Sequence, residues 1–171
     1  SRVESNSDEA LIWFDKVIED KELQPFIYQA VEKHLASKNV SLHTVDAENK
    51  IFESDWFHNE KETGFWFFKS TEISESTRYK FSFEAKPHGR SVALKVALVD
   101  YMKTDINGGS KSIDLIDKQR AEMNMLNEII SQVDYQYRLQ QQENRLMRSN
   151  QHLVSLAENS RAEPAYLVEI P

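Results

Sequence analysis

Along residues 78–100, RYKFSFEAKPHGRSVALKVALVD, apolar and polar positions alternate, break off, and alternate again. Tyr79, Phe81, Phe83 and Ala85 interleave with Arg78, Lys80, Ser82, Glu84 and Lys86. A period of two puts one set on a dry face and the other on a wet one, which predicts a half-buried strand. Pro87-His88-Gly89 supplies a turn, because proline fixes φ and glycine tolerates the left-handed region. The return strand carries Val92, Leu94, Val96 and Leu98 on one side, with Ser91, Ala93, Lys95 and Ala97 on the other. So small and polar a second side predicts a sheet covered on one face only, as antiparallel sheets commonly are.

The flanking segments supply the layer that would cover it. SRVESNSDE (1–9) is polar and reads as a flexible arm. ALIWFD (10–15) reads as a buried strand. LQPFIYQAVEKHLASKN (23–39) predicts a helix with Leu23, Ile27, Ala30, Val31 and Leu35 on one face. Pro25 suits its first turn, and Asn39 its left-handed stop. VSLHTVDAENKIFESDWF (40–57) predicts a hairpin turning at Asp46 to Asn49. GFWFFKS, between HNEKET and TEISEST, fits either a short strand or a loop tip. After the connection TDINGGSKS the period becomes helical, with Ile116, Met123, Leu126, Ile130, Val133 and Tyr137 as the stripe. Asp114 and Asp117 stand at that helix's positive end.

This order predicts an α+β chain: a helix-grip fold, an antiparallel sheet with two helices packed on one face. The expected organisation is an arm over 1–9, a helix-grip domain over 10–137, and a tail over 138–171. The tail reads as a polar linker, open to helix, with Leu139, Leu146 and Leu153 seven apart. It ends in AYLVEIP, which reads as the start of a second, truncated domain.

Composition narrows the functions. With 40% hydrophobic residues and 11% aromatics over 171 residues, a real core is within reach. A net charge of −7 without a basic run excludes nucleic acid as a main partner and electrostatic docking on an anionic membrane. The absence of cysteine excludes disulfides, thiolate nucleophiles and cysteine-based zinc sites. No apolar run is long enough to span a bilayer. The chain begins at Ser1, so any targeting or lipid-attachment signal is expected upstream of it.

Candidate chemistry is sparse. Asp55, His58 and Glu60 form the tightest cluster of ligand-type residues, but strand alternation parts Asp55 from His58, and a solvated strand end is the favoured reading. His34 borders the apolar stripe of the first helix and reads as a satisfied boundary residue, and His88 as an exposed turn residue. Phosphate-loop, nucleophile-elbow and HExxH motifs do not occur. No catalytic residue, cofactor or metal is expected. Trp56 reads as core beneath a helix. Phe65, Trp66, Phe67 and Phe68 are the candidate interface residues, because consecutive aromatics cannot all point inward from a strand. The alternative for them is cover by another part of the chain.

Three stretches, ESDWF (53–57), YKFSFEAKPHGRSVALKVALVD (79–100) and RAEMNMLNEII (120–130), resemble the BamC family of the outer-membrane β-barrel assembly machinery of Gram-negative bacteria. Their order and spacing also agree, apart from a longer aromatic insertion around 63–77. The resemblance covers roughly 10–137, the first of the family's two helix-grip domains. It implies a non-enzymatic, periplasm-facing subunit, acyl-anchored to the outer membrane through an N-terminal cysteine that this chain lacks. It implies partnership with BamD and BamA, and the grooves and open sheet edges of a grip domain add unfolded outer-membrane proteins as an expected contact. BamD binding in the family runs largely through an extended segment before the first grip domain, so no partner-contacting residue is carried over. The competing expectation is a grip module that binds an apolar small molecule or peptide between helix and sheet.

Overall fold

The computed structural model describes residues 3–5, 10–15, 22–63, 70–85, 91–105 and 112–162. Its seven-stranded sheet runs β1 (Val3–Ser5), β2 (Ala10–Phe14), β7 (Val92–Asp105), β6 (Ser70–Ala85), β4 (Ile51–Ser54) and β3 (Leu42–Asp46). The seventh strand, β5 (Phe57–Thr63), also pairs with β6. All the pairings are antiparallel. The helices are α1 (Leu23–Ser37) and α2 (Leu115–Ala162). The α+β helix-grip expectation holds. Within the segment expected as a flexible arm, Val3–Ser5 pairs with β2 from Val3↔Ile12 to Ser5↔Ala10.

β6 and β7 form the spine, in register from Ala85↔Val92 to Ile73↔Asp105. Their alternation is the one the sequence predicts: Phe81 opposes Val96 and Phe83 opposes Leu94, with Ile12 beyond Leu94. β4 and β5 follow one another along the far edge of β6, with a break at Asp55–Trp56. On the opposite edge, Arg78 pairs with Asp100 but Tyr79 with Leu98, so Val99 is an extra residue, a β-bulge. The sheet is thus creased at Arg78–Tyr79 from both sides. Such a crease frees backbone donors, and both find partners. The Tyr79 N–H donates to the hydroxyl of fully buried Ser54 at 3.0 Å. The Leu98 N–H donates to Glu122 Oε2 of α2 at 2.9 Å. Beyond the crease, β5 with the adjoining ends of β6 and β7 forms an overhang.

α1 ends as its sequence demands. Asn39 has φ of 58°. The Val40 N–H reaches Leu35 O at 2.9 Å and the Asn39 N–H reaches Ala36 O at 3.0 Å, a Schellman stop with Val40 and Leu35 both buried. α2 opens with Asp114 capping the Asp117 N–H at 2.8 Å. Its buried stripe differs from the expected one. Glu122, Met125, Leu126, Ile129 and Val133 face the sheet, whereas Ile116 is 68% exposed and Met123, Ile130 and Tyr137 are half-buried. The cause is Glu122: a stripe drawn through apolar residues alone skips the carboxylate that serves the bulge, and the face rotates by about one residue.

The face of β6 and β7 away from the helices carries pairs such as Lys95 with Glu84 at 2.9 Å, and Arg78 with Asp100. Ala93 and Ala97 are nevertheless buried there, because Trp13 stands opposite Ala93 and Lys80 opposite Ala97. Trp56 is not core beneath a helix. It is half-buried, with the Arg78 guanidinium carbon 6.0 Å from its ring centroid. The strand break at Asp55–Trp56 removes the alternation that would have turned it inward.

The chain divides into two compact units, Ser1–Val133 and Asp134–Pro171. In the second, every residue from 145 to 160 is exposed, including Leu146 at 64% and Leu153 at 61%. The Pro87-His88-Gly89 turn, AYLVEIP and Phe65, Trp66, Phe67 and Phe68 lie outside the described residues.

Candidate interaction surfaces

The layer between helices and sheet is filled. Ile27 and Leu35 of α1, Leu126 and Ile129 of α2, and Leu94 of the sheet are each 0% exposed, and Phe81 1%. Burying such side chains stabilises the fold by roughly 1.5–3 kcal/mol apiece before entropy is counted. Two polar contacts lock the layer. Glu122 holds the bulge, and His34 Nε2 of α1 meets Glu128 Oε2 of α2 at 2.8 Å. His34 is therefore the satisfied boundary residue its position predicts.

Among the described residues, two concavities beside this layer stand out. The first lies between α2 and the overhang, as adjoining cavities of about 340 and 290 Å³ that share Glu75, Thr77, Ala121 and Asn124. Its apolar floor is Phe57, Tyr79 and Met125, with the Phe57 and Tyr79 rings edge to face at 5.6 Å. Alternation along β5 and β6 brings Asn59, Glu75 and Thr77 to the same face, opposite Asn124 of α2. The acidic residues of the lining are paired, Glu75 with Lys103 at 3.4 Å, Asp117 with Arg120 at 3.5 Å, and Glu128 with His34, and Lys38 also lines the first cavity. Burial, then nearby carboxylates, push the Tyr101 phenol up. Burial does the same to Tyr79. Both therefore remain neutral hydroxyls at ordinary pH.

The second concavity, of about 310 Å³, lies between the start of α1 and the ends of β4 and β6. Pro25, Tyr28, Phe52 and Phe83 line it. The Tyr28 and Phe52 centroids are 4.7 Å apart and those of Phe52 and Phe83 6.1 Å, an edge-to-face array. Lys50 stands at the rim, its Nζ donating to Gln24 Oε1 at 3.3 Å. Its φ of 55° is set by the preceding turn, where Asp46 accepts the Asn49 N–H at 3.0 Å.

The ligand-type residues do not converge. Asp55 lies 3.7 Å from His43, while His58 Nδ1 pairs with Ser76 Oγ at 2.8 Å. Among the described residues no group of three or more potential metal ligands forms. Nor, among them, is any helix long and apolar enough to cross a membrane. Asn59, Thr77 and Asn124 were not singled out by sequence reasoning. No apolar alternation in HNEKET or TEISEST marks the first two, and Asn124 is one polar residue among several on α2.

The family described as the outer membrane protein assembly factor BamC-like N-terminal domain matches residues 1–147. The chain belongs to that family. A BamC of Pseudoalteromonas sp. (strain SM9913), named an outer membrane protein assembly factor, is 31% identical over 91% of this chain and 42% of its own length. The like-named protein of Pseudoalteromonas atlantica is 28% identical over 81% of this chain and 38% of its own length. That of Shewanella sediminis is 29% identical over 77% and 36%. The chain thus spans about two-fifths of the length of the curated BamC relatives it matches. The BamC-like match runs past Val133 into the helical second unit.

Proposed function

We propose that this BamC-like chain is a non-enzymatic part of the outer-membrane β-barrel assembly machinery, acting through protein–protein contacts on the periplasmic side. In the full-length protein a lipid anchor holds it to the outer membrane. Its partners are BamD, BamA and unfolded outer-membrane proteins. The observation that carries this reading is the filled layer: with Phe81, Leu94, Leu126 and Ile129 packed shut, the surfaces left for work face outward. The family match and the relatives' names as assembly factors supply the setting. A photo-crosslinking residue placed at Val99 or Met102, which are 38% and 45% exposed on the sheet, tests it in a Gram-negative cell. Adducts with BamD or BamA are expected. If neither position yields an adduct with any assembly subunit, the reading falls.

A second reading, a module for an apolar small molecule, is favoured by the aromatic cleft of Tyr28, Phe52 and Phe83. Its 310 Å³ stands at the lower limit of small-molecule sites, which run from about 300 to 1,000 Å³. Native mass spectrometry of the purified chain decides it, since an occupied cleft adds a small mass.

A further inference from the structure

We infer that the groove between α2 and the overhang binds the backbone of an extended polypeptide, about five residues at a time, with little regard to its side chains. The inference rests on the contact reading above and names the class of partner. Shape gives the length. The lining on α2 runs from Asp117 to Glu128. At about 1.5 Å per helical residue that is ~16 Å, the span of roughly five residues of extended chain at ~3.3 Å each.

Chemistry gives the class. The lining carboxylates Glu75, Asp117 and Glu128 each have a cationic or histidine partner of their own, so they do not call for an ion, and Lys38 adds a cation to the lining. Glu75, Thr77 and Asn124 line both cavities, with Asn59 on β5 lining one of them; Glu75 is engaged by Lys103, which leaves Thr77 and the exposed carboxamides of Asn59 and Asn124 as the neutral polar groups on offer. A carboxamide presents one acceptor and two donors, which matches the N–H and C=O that every non-proline residue of a peptide carries. Two carboxamides on facing walls therefore read main chain. The floor of Phe57, Tyr79 and Met125 accepts apolar side chains without selecting among them, since a methionine adapts its shape to its neighbour.

The test is a titration of the ¹⁵N-labelled 171-residue chain with a blocked peptide of about eight residues, long enough to fill the groove when extended. A scrambled peptide of the same composition, and a version N-methylated at alternate amides, are compared with it. The side-chain NH₂ resonances of Asn59 and Asn124 are expected to shift. The scrambled peptide is expected to bind equally well. The N-methylated one should bind at least about tenfold more weakly, the effect of losing two hydrogen bonds at ~1 kcal/mol each. Asn124→Leu and Asn59→Leu, at exposed positions where folding is undisturbed, should each weaken binding about fivefold. Equal binding of the N-methylated peptide overturns the proposal. So do shifts confined to Tyr28 and Phe52, or no shift at millimolar peptide. Crosslinks from Val99 and Met102 do not depend on the groove, so the two readings fail separately.

Discussion

At the residue scale, Glu122 shows why a buried carboxyl group is kept. It is 1% exposed, in the middle of an apolar stripe, and accepts the Leu98 N–H beside the Val99 bulge. Burial of a carboxylate is costly unless it is hydrogen-bonded, and an orphaned backbone N–H is costly too. Glu122→Leu is expected to destabilise by about 1–3 kcal/mol, seen as a lower urea midpoint with an unchanged slope, while Glu122→Gln, which keeps an acceptor, loses less. Tyr79 gives a pH signature. Burial pushes its phenol above the ordinary 10.0, with Glu128 and Glu122 adding to the shift against a Thr77 hydrogen bond. As pH rises the unfolded chain sheds this proton first. Its stabilisation is therefore complete below about pH 10 and is lost as pH climbs through the folded value. Urea midpoints measured from about pH 9 to 11 should fall less steeply in Tyr79→Phe than in the parent. The two residues also differ in how far the sequence announced them. Tyr79 sits in an alternating run and read as core at once. Glu122 falls outside the predicted stripe, because nothing local tells a carboxyl group that a bulge elsewhere in the chain awaits it.

At the element scale, what was legible depended on whether an element shows one dry face. The spine strands do, and their faces were predicted residue by residue. So was the stop of α1, where Asn39 takes φ of 58°. Asn39→Ala is expected to cost about 1 kcal/mol and Asn39→Gly nothing or less, read from thermal melts, because a Cβ is disfavoured in the left-handed region and Asn tolerates it better than Ala. The overhang was not legible. On one face Glu75 and Thr77 line a polar groove, and on the other Ser76 bonds His58, so no apolar alternation marks that part of β6 as strand. The strand break was hidden for a similar reason. Ser54 replaces a ladder bond with a hydroxyl, and a serine in sequence gives no hint of that. Ser54→Ala, fully buried, should lower stability by about 1–2 kcal/mol in urea unfolding, since the Tyr79 N–H loses its acceptor.

At the scale of the whole molecule, stability is unevenly distributed along α2. Leu126, Ile129 and Val133 are shut into the core, whereas residues 145–160 are exposed all round. Helices in proteins owe most of their persistence to packing of an apolar face rather than to propensity. Amide exchange is accordingly expected to be slowest between Glu122 and Val133, approaching the global unfolding limit, and orders of magnitude faster from Arg145 to Ser160. Equal protection along both stretches would show that the distal helix is packed in solution.

The crease at Arg78–Tyr79 governs more than local hydrogen bonding. β4 stops and β7 takes in its extra residue beside the same pair, while β6 runs on unbroken and carries one inside–outside alternation from the body into the overhang. Matched additions or deletions at the far ends of β5, β6 and β7 leave every core side chain pointing where it did. That end of the protein can change its reach without turning a core side chain, whereas an unmatched one-residue change within the body has to be taken up by a bulge.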